Sequence, residues 1–371
     1  MPSAVDWLES LSPWPRDGFG LERMRALLAG LGDPQLDFDS VHVVGTNGKS
    51  TTTRTIEETL LREGVLAGAY TSPHVTGWAE RVRIGGEEVD VERALAGVRP
   101  LAETLGATQF EVLTAAAFAE FAEAGVEAAA VEAGLGGRFD ATNVLRSPVQ
   151  VLTNVALEHT DVLGSTREAI AGEKLAVVQP GATVVLGEPE WEPLARRRGA
   201  AHVIVETGGN RALGGAAASA FLGRAVEPAE VRLPGRLDIR GDEIWDGAHT
   251  PEAVRYVAPS LPRLGSVVAS VLADKDVDAL LAQLGRLAPA FVATRSLSDR
   301  ALSSADLAAR AAGHFERVEA VDDPHEALRR AHELGEPVLV TGSLYLLADL
   351  SPGEPAHSRR NRAPRAESTS G

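Results

Sequence analysis

The stretch Val41-His42-Val43-Val44-Gly45-Thr46-Asn47-Gly48-Lys49-Ser50-Thr51 decides the fold. An apolar run of strand length enters a glycine-bearing turn, and a helical pattern follows with Ile56, Leu60 and Leu61 on one face until Gly64 stops it. Strand, glycine loop and helix in that order make a phosphate-binding element. Backbone N–H groups and the positive end of the helix face an anion, Lys49 adds a point charge, and the hydroxyl of Ser50 or Thr51 is suited to magnesium. The general pattern for such loops would put its first glycine at Val43, so the assignment rests on Gly48-Lys49-Ser50 and on the strand and helix around them.

Outward from this element, strands and helices alternate. A strand is expected up to Tyr70, then a helix spaced Phe110, Leu113, Ala117, Phe121 and ending at Gly125, then strands through Val131, over 149–155 and over 182–186. Such alternation on short glycine-bearing loops implies a parallel sheet covered on both faces. Residues 208–218 are rich in Gly and Ala, and the pattern restarts after Pro234-Gly235-Arg236. The expected organisation is therefore α/β throughout. An N-terminal P-loop NTPase-like parallel-sheet domain spans 1–207, a linker 208–235, and a smaller C-terminal open α/β, Rossmann-like domain 236–350. In the latter, helices are expected from Pro251, Val277, Ser303 and Pro324. Residues 351–371 hold almost no apolar side chain and are expected to be a disordered tail.

Two domains also suit the 371 residues, at about 150 residues per domain. A formal charge of −16 disfavours nucleic acid and anionic membranes as partners, and no apolar run reaches the roughly 18 residues a membrane span needs. The chain has no cysteine, hence no disulfide framework or thiolate metal site, and its first residues lack the basic and apolar segments of a secretory signal. A cytoplasmic monomer acting on small molecules is the expectation.

A triphosphate site needs divalent metal, and metal needs carboxylate or imidazole at strand ends. That singles out Glu132, at the end of the 128–131 run, and His159, in Ala156-Leu157-Glu158-His159-Thr160-Asp161. Taken alone, each is more often a solvated side chain. His202, His314, His325 and His332 have no acidic or imidazole partner at ligand spacing and are read as surface or satisfied residues.

These stretches occur together with Tyr70-Thr71-Ser72-Pro73-His74, the run from Glu132 to Asn143, Glu173-Lys174, Asp246-Gly247-Ala248-His249, Ala273-Asp274-Lys275-Asp276 and Thr341-Gly342-Ser343-Leu344-Tyr345. Over residues 18–350 their order resembles the folylpolyglutamate synthase and dihydrofolate synthase branch of the Mur ligase superfamily. The resemblance implies an ATP-dependent ligase that forms an amide between L-glutamate and a folate-type carboxylate, dihydropteroate or tetrahydrofolyl-glutamate, through an acyl phosphate. It makes Lys49 the phosphate lysine and Ser50 or Thr51 a magnesium ligand, with Ser72, Glu132 and His159 completing the metal site and a monovalent cation as a further cofactor. Lys174 matches a lysine carried as a carbamate, and with Lys49 and His159 it is expected to carry catalysis. Arg236, Asp246 and His249 are implied to meet the nucleotide from the second domain, and Asp140, Ala141 and Thr142 to form part of the pterin-side wall. Trp78 and Arg81 lie in a loop resembling the folate-side loop, where Trp78 either stacks on the substrate ring or anchors its own loop.

Two departures stand out. Ser50 replaces the glycine usual in the folate branch, which leaves open which hydroxyl meets magnesium, and Thr250 stands where the family usually has asparagine. Two other readings compete: a Mur-type ligase on another acceptor, and a P-loop switch or kinase that forms no amide. The apolar neighbours Ala176, Val177 and Val178 independently disfavour a charged Lys174 ammonium, and a neutral amine can add carbon dioxide.

Overall fold

The computed structural model describes residues 3–15 and 18–351. The chain divides into two compact units, and the division falls between Arg232 and Leu233.

The first unit is built on eight strands: β1 (Asp39–Val44), β2 (Ala67–Tyr70), β3 (Val82–Ile84), β4 (Glu87–Glu88), β5 (Ala128–Glu132), β6 (Val149–Leu152), β7 (Thr183–Leu186) and β8 (His202–Val205). They lie in the order β4-β3-β2-β5-β1-β6-β7-β8. β1 is central, parallel to both β5 and β6, and Val43 pairs with Glu132 on one side and Val151 on the other. Strands buried on both faces read as continuous apolar runs rather than alternating ones, which is why β1, β5 and β6 stand out in the sequence. The parallel expectation fails at one edge, where β3 pairs antiparallel with β2 and with β4. The strand expected over 149–155 stops at Leu152, because the next residues bend onto the phosphate loop.

One face of the sheet is covered by the helix Lys49–Arg62 and the helix Asn210–Leu222, whose Ile56, Leu60, Leu213, Ala217 and Ala218 join Val41, Val43 and Val151 in one core. The other carries Gln109–Glu123, with Phe118 and Phe121 packed against Tyr70 and Val131. The expected linker over 208–235 is thereby corrected. Its glycines and alanines do not mark a flexible segment but let two helices approach closely: a Cβ on Gly214 would lie 2.7 Å from the Thr55 side chain and 3.1 Å from the Thr52 carbonyl oxygen.

The second unit holds β9 (Asp238–Arg240), β10 (Glu243–Trp245), β11 (Ser266–Ala269), β12 (Ala290–Ala293), β13 (Arg317–Ala320) and β14 (Val338–Thr341), ordered β13-β12-β11-β14-β10-β9. All pairs are parallel except the β9–β10 hairpin. Three of the four expected helices begin where the sequence placed them, at Pro251, Val277 and Pro324, and the fourth begins one residue later, at Ser304; each has a side-chain cap. Thr250, Asp276, Ser303 and Asp323 accept from the N–H groups of Ala253, Ala279, Asp306 and Glu326. No helix among the described residues is long and apolar enough to cross a membrane. The expected tail lies outside the described residues apart from Ser351.

Gly214 supplies a test in which two effects have opposite signs. Helix propensity alone would make Gly214→Ala stabilising by about 1 kcal/mol, whereas overpacking costs roughly 1–3 kcal/mol. The close approach to Thr52 and Thr55 makes the packing term larger, so Gly214→Ala is expected to lower the midpoint of thermal or urea unfolding. An increase would show that the two helices part freely.

Candidate active site

The C-terminal ends of β1, β5 and β6 emerge side by side, the place where open parallel sheets bind ligands. The phosphate loop leaves β1 with Gly45 at φ +151° and Gly48 at φ +79°. Space also demands glycine at both: a Cβ would come within 1.9 Å of the Thr153 hydroxyl at Gly45 and within 2.2 Å of Asn210 Oδ1 at Gly48. The helix begins at Lys49, and its ladder opens with the Thr52 N–H donating to Gly48 O. The N–H groups of Lys49, Ser50 and Thr51 thus precede the ladder at the positive end of a helix, as an anion site requires.

Three charged side chains chosen from the sequence meet here. Lys49 Nζ donates to Thr46 O at 3.2 Å and lies 4.0 Å from Glu132 Oε1. Glu132, only 1% exposed, accepts the Ser72 N–H through Oε2 at 3.1 Å. Lys174, 3% exposed at the end of the helix Arg167–Lys174, donates from Nζ to Gly45 O at 2.7 Å. Burial, reinforced by the charge of Lys49, pulls the Lys174 amine down to about 7. Its backbone is docked as well: the Arg138 N–H donates to Glu173 O, the Arg138 side chain pairs with Glu173 at 2.9 Å, and a Cβ on Gly137 would fall 2.6 Å from Lys174 O.

His159 stands apart in character. It takes φ +49° before the short helix Thr160–Leu163, its side chain is 43% exposed, and Glu158 lies 3.6 Å away. Among the described residues no three His, Cys, Asp or Glu side chains are gathered for a metal. The donors at hand are chiefly hard oxygens, the Glu132 carboxylate and the hydroxyls of Ser50, Thr51 and Ser72, a chemistry that fits magnesium better than a softer ion.

Several expected contact residues turn out to brace the site. Asp140, buried, accepts the Leu135 N–H at 2.8 Å on one oxygen and the N–H and hydroxyl of Thr142 on the other. Thr142 Oγ1 in turn accepts from His42 Nε2 at 2.7 Å. Asp140, Ala141 and Thr142, expected as a pterin-side wall, are thus buried, and the two polar side chains are spent on holding the 132–143 loop to β1. Trp78 takes the anchoring role of its two readings. Its Nε1–H donates to Glu9 at 2.9 Å, the Arg81 guanidinium sits 4.5 Å from its ring centre, and the His74 ring meets it edge-on. Arg81 donates from Nε to His74 Nδ1.

In the second unit, Asp246 follows β10 and gives one oxygen to the Leu237 N–H and the other to the Ala248 N–H, both at 2.9 Å. Burial pushes its carboxyl up against these bonds. Asp246, expected to meet nucleotide, is therefore the brace that folds Arg236 and His249 into one corner, where Arg236 donates to Gly235 O and His249 Nδ1 to Gly247 O. His332, read as a surface or satisfied residue, is the latter: it contacts Glu243 at 2.9 Å and Glu336 at 2.7 Å. Glu336 is one helical turn away, but Glu243 is 89 residues distant and is delivered by the sheet.

Three site residues escaped the sequence reading: His42, Asn154 and Asn210. His42 had a signal, a polar residue inside an apolar strand; Asn210 was hidden in the supposed linker.

Residues 43–187 match the Mur ligase middle domain and residues 235–344 the Mur ligase glutamate ligase domain. A dihydrofolate synthase/folylpolyglutamate synthase of Escherichia coli is 30% identical over 398 residues, 94% of each chain. One from Mycobacterium tuberculosis is 30% identical over 409, covering 86% of this chain and 84% of that protein. The chain belongs to the dihydrofolate synthase/folylpolyglutamate synthase family and is an ATP-dependent ligase. The solved structure of Escherichia coli FolC in complex with DHPP and ADP matches this family member with a TM-score of 0.82 at 28% identity, covering 94% of this chain and 96% of that one. A bifunctional synthase of Yersinia pestis complexed with AMPPNP and Mn ion matches at 0.81 and 29%, covering 94% and 98%.

His42 gives this ligase an acid limb. Burial pulls its imidazole from 6.5 to about 4, so the native state stays unprotonated where the unfolded state gains a proton. The stability is present above pH 6.5 and lost as pH falls to about 4, about 3 kcal/mol in all at 1.36 kcal/mol per unit. In His42→Gln the amide donor remains without the titration, so its melting temperature is expected to fall less than wild type between pH 6.5 and 4.5. Parallel curves would remove His42 as the cause.

Proposed function

We propose that this ligase joins the amine of L-glutamate to the carboxylate of a folate-type acceptor, with ATP supplying an acyl phosphate. The observation that carries the reading is the convergence of Lys49, Glu132 and Lys174 beneath the phosphate loop. A carboxylate must attack the γ-phosphate although both are anions, and catalysis of such a transfer is chiefly positioning and charge neutralisation. Lys49 supplies a cation to the phosphates and the helix end supplies N–H donors. Magnesium, held by Glu132, Ser72 and Ser50 or Thr51 with His159 at the rim, would neutralise phosphate charge when bound. A monovalent cation belongs to the same reading.

Lys174 is proposed to act as its carbamate. A buried ammonium is costly by several kcal/mol, and one hydrogen bond to Gly45 O returns only about 1.5–3 kcal/mol. The neutral amine is therefore accessible near pH 7, and it adds carbon dioxide with loss of one proton. The resulting anion would face Lys49 favourably. Arg236 and His249 are proposed as nucleotide contacts and Arg81 as a substrate contact. Dihydropteroate and tetrahydrofolyl-glutamate both fit the acceptor class, and we place the enzyme as a cytoplasmic monomer, in keeping with a cysteine-free chain of charge −16.

The decisive experiment supplies ATP, glutamate and each acceptor separately, follows phosphate release and identifies products by mass spectrometry. Release that depends on both acceptor and glutamate, with a product one glutamyl residue heavier, is expected; release indifferent to either substrate overturns the reading.

Lys49→Ala is expected to lower turnover at least about a hundredfold. Near wild-type turnover would remove the lysine from the phosphate site. Lys174→Ala should be nearly inactive and partly rescued by short carboxylates. Labelling with 13C-bicarbonate should give wild type a carbamate carbon resonance that fades as pH falls below about 7, since protonation of the amine reverses the addition. A spectrum identical to that of Lys174→Ala would rule the carbamate out.

A further inference from the structure

The segment that follows β6 is not used by the chemistry above, yet it is bonded to the phosphate loop more densely than any functional side chain described. Asn154 meets the Asn47 peptide with both ends of its amide: Oδ1 accepts the Asn47 N–H at 3.0 Å and Nδ2 donates to Asn47 O at 2.9 Å. Asn47 O also accepts from the Thr153 hydroxyl at 2.7 Å. One residue earlier, the Thr46 N–H donates to Asn154 O at 2.9 Å, and Thr46 Oγ1 accepts the Ala156 N–H at 3.1 Å. The side chain of Asn154 thus imitates a peptide group paired with another peptide.

The far side of the segment is equally fixed. The Val155 N–H donates to Glu188 Oε2 at 2.9 Å, Arg167 Nε donates to Val155 O at 2.8 Å, and Arg167 pairs with Glu188 at 2.9 Å. Thr153 lies between two glycines, Gly45 and Gly187, at either of which a Cβ would fall within 2.0 Å of it. Asn154 therefore acts from a rigid support.

The consequence concerns which donors remain for an anion. The N–H groups of Thr46 and Asn47 are both committed to this segment, so the donors from Gly48 to Thr51 are the ones left to face phosphate. Their direction follows from the orientation of the Asn47 peptide just before Gly48. We propose that Asn154 is a positioning residue for the nucleotide. Its bidentate bond to the Asn47 peptide holds the phosphate loop in the conformation that receives the phosphates before they arrive. A preorganised loop loses less freedom on binding, which raises affinity. This inference rests on the reading of residues 45–51 as a nucleotide site.

The test measures binding of ADP with magnesium by calorimetry to wild type, Asn154→Ala and Asn154→Asp, together with KM for ATP and for glutamate. Asn154→Ala should weaken ADP about tenfold, the order expected for losing both bonds. Asn154→Asp should be worse, because it retains the acceptor but sets a carboxylate oxygen against Asn47 O and adds negative charge near the phosphates. KM for ATP should rise in step, while KM for glutamate stays at the wild-type value. Unchanged ADP affinity in both variants overturns the proposal, and so does a loss that appears equally in the KM for glutamate, which would mark Asn154 as merely structural. A wild-type protein that does not bind ADP would instead overturn the nucleotide reading beneath it.

Discussion

The register of β1 between β5 and β6 is the constraint on which the site depends. Val43 lies beside Glu132 and Val151, so the chain leaves all three strands at one level, at positions 44–45, 132–133 and 152–153. A parallel pair cannot be closed by a tight turn, and each crossover must return through a helix. Residues more than eighty apart, Lys49 and Glu132 among them, thereby arrive within 4.0 Å. A shift of one residue in any of these pairings would turn every side chain of that strand to the opposite face, and the buried apolar runs on both sides forbid it.

That geometry gathers charges in a place that does not welcome them. Glu132, Lys174, Asp140 and the imidazole of His42 are all buried, and the unfolded chain would solvate each better. The protein offsets this with fixed partners rather than with water. Asp140 takes two backbone N–H groups and a hydroxyl, Glu132 takes the Ser72 N–H, and Lys174 donates to the loop carbonyl. Stability is spent on preorganisation, as is usual where charge must be stabilised during reaction. Lys174 remains the least satisfied member, with Lys49 nearby adding repulsion.

Polar residues around the site divide into those facing the loop's outer space and those bracing it from behind. Asp140 and Thr142 belong to the second group, although the family resemblance implied them as contacts, and within the second unit Asp246 likewise holds its own turn. A carboxylate that shapes a turn leaves the same trace in a sequence as one that meets a ligand. Only the count of hydrogen bonds already made at each oxygen separates the two.

Apart from the membership of Glu132 and Lys174 in the site of Lys49, which the family resemblance implied, the sequence by itself determined the strand–loop–helix at residues 41–64, the alternation that makes both sheets mainly parallel, and the capped helix starts at Pro251, Val277 and Pro324. These are local: periodicity, glycine at positive φ and cap chemistry act within a few residues. The tertiary structure alone decided the rest. It turned the supposed linker into the helix that packs on Lys49–Arg62, because small residues permit close approach only when a partner helix is present. It paired His332 with Glu243 and joined Asn154 to Asn47, 107 residues apart, through bonds that no spacing encodes. Strand order and register set such distances, and they are properties of the packed core as a whole.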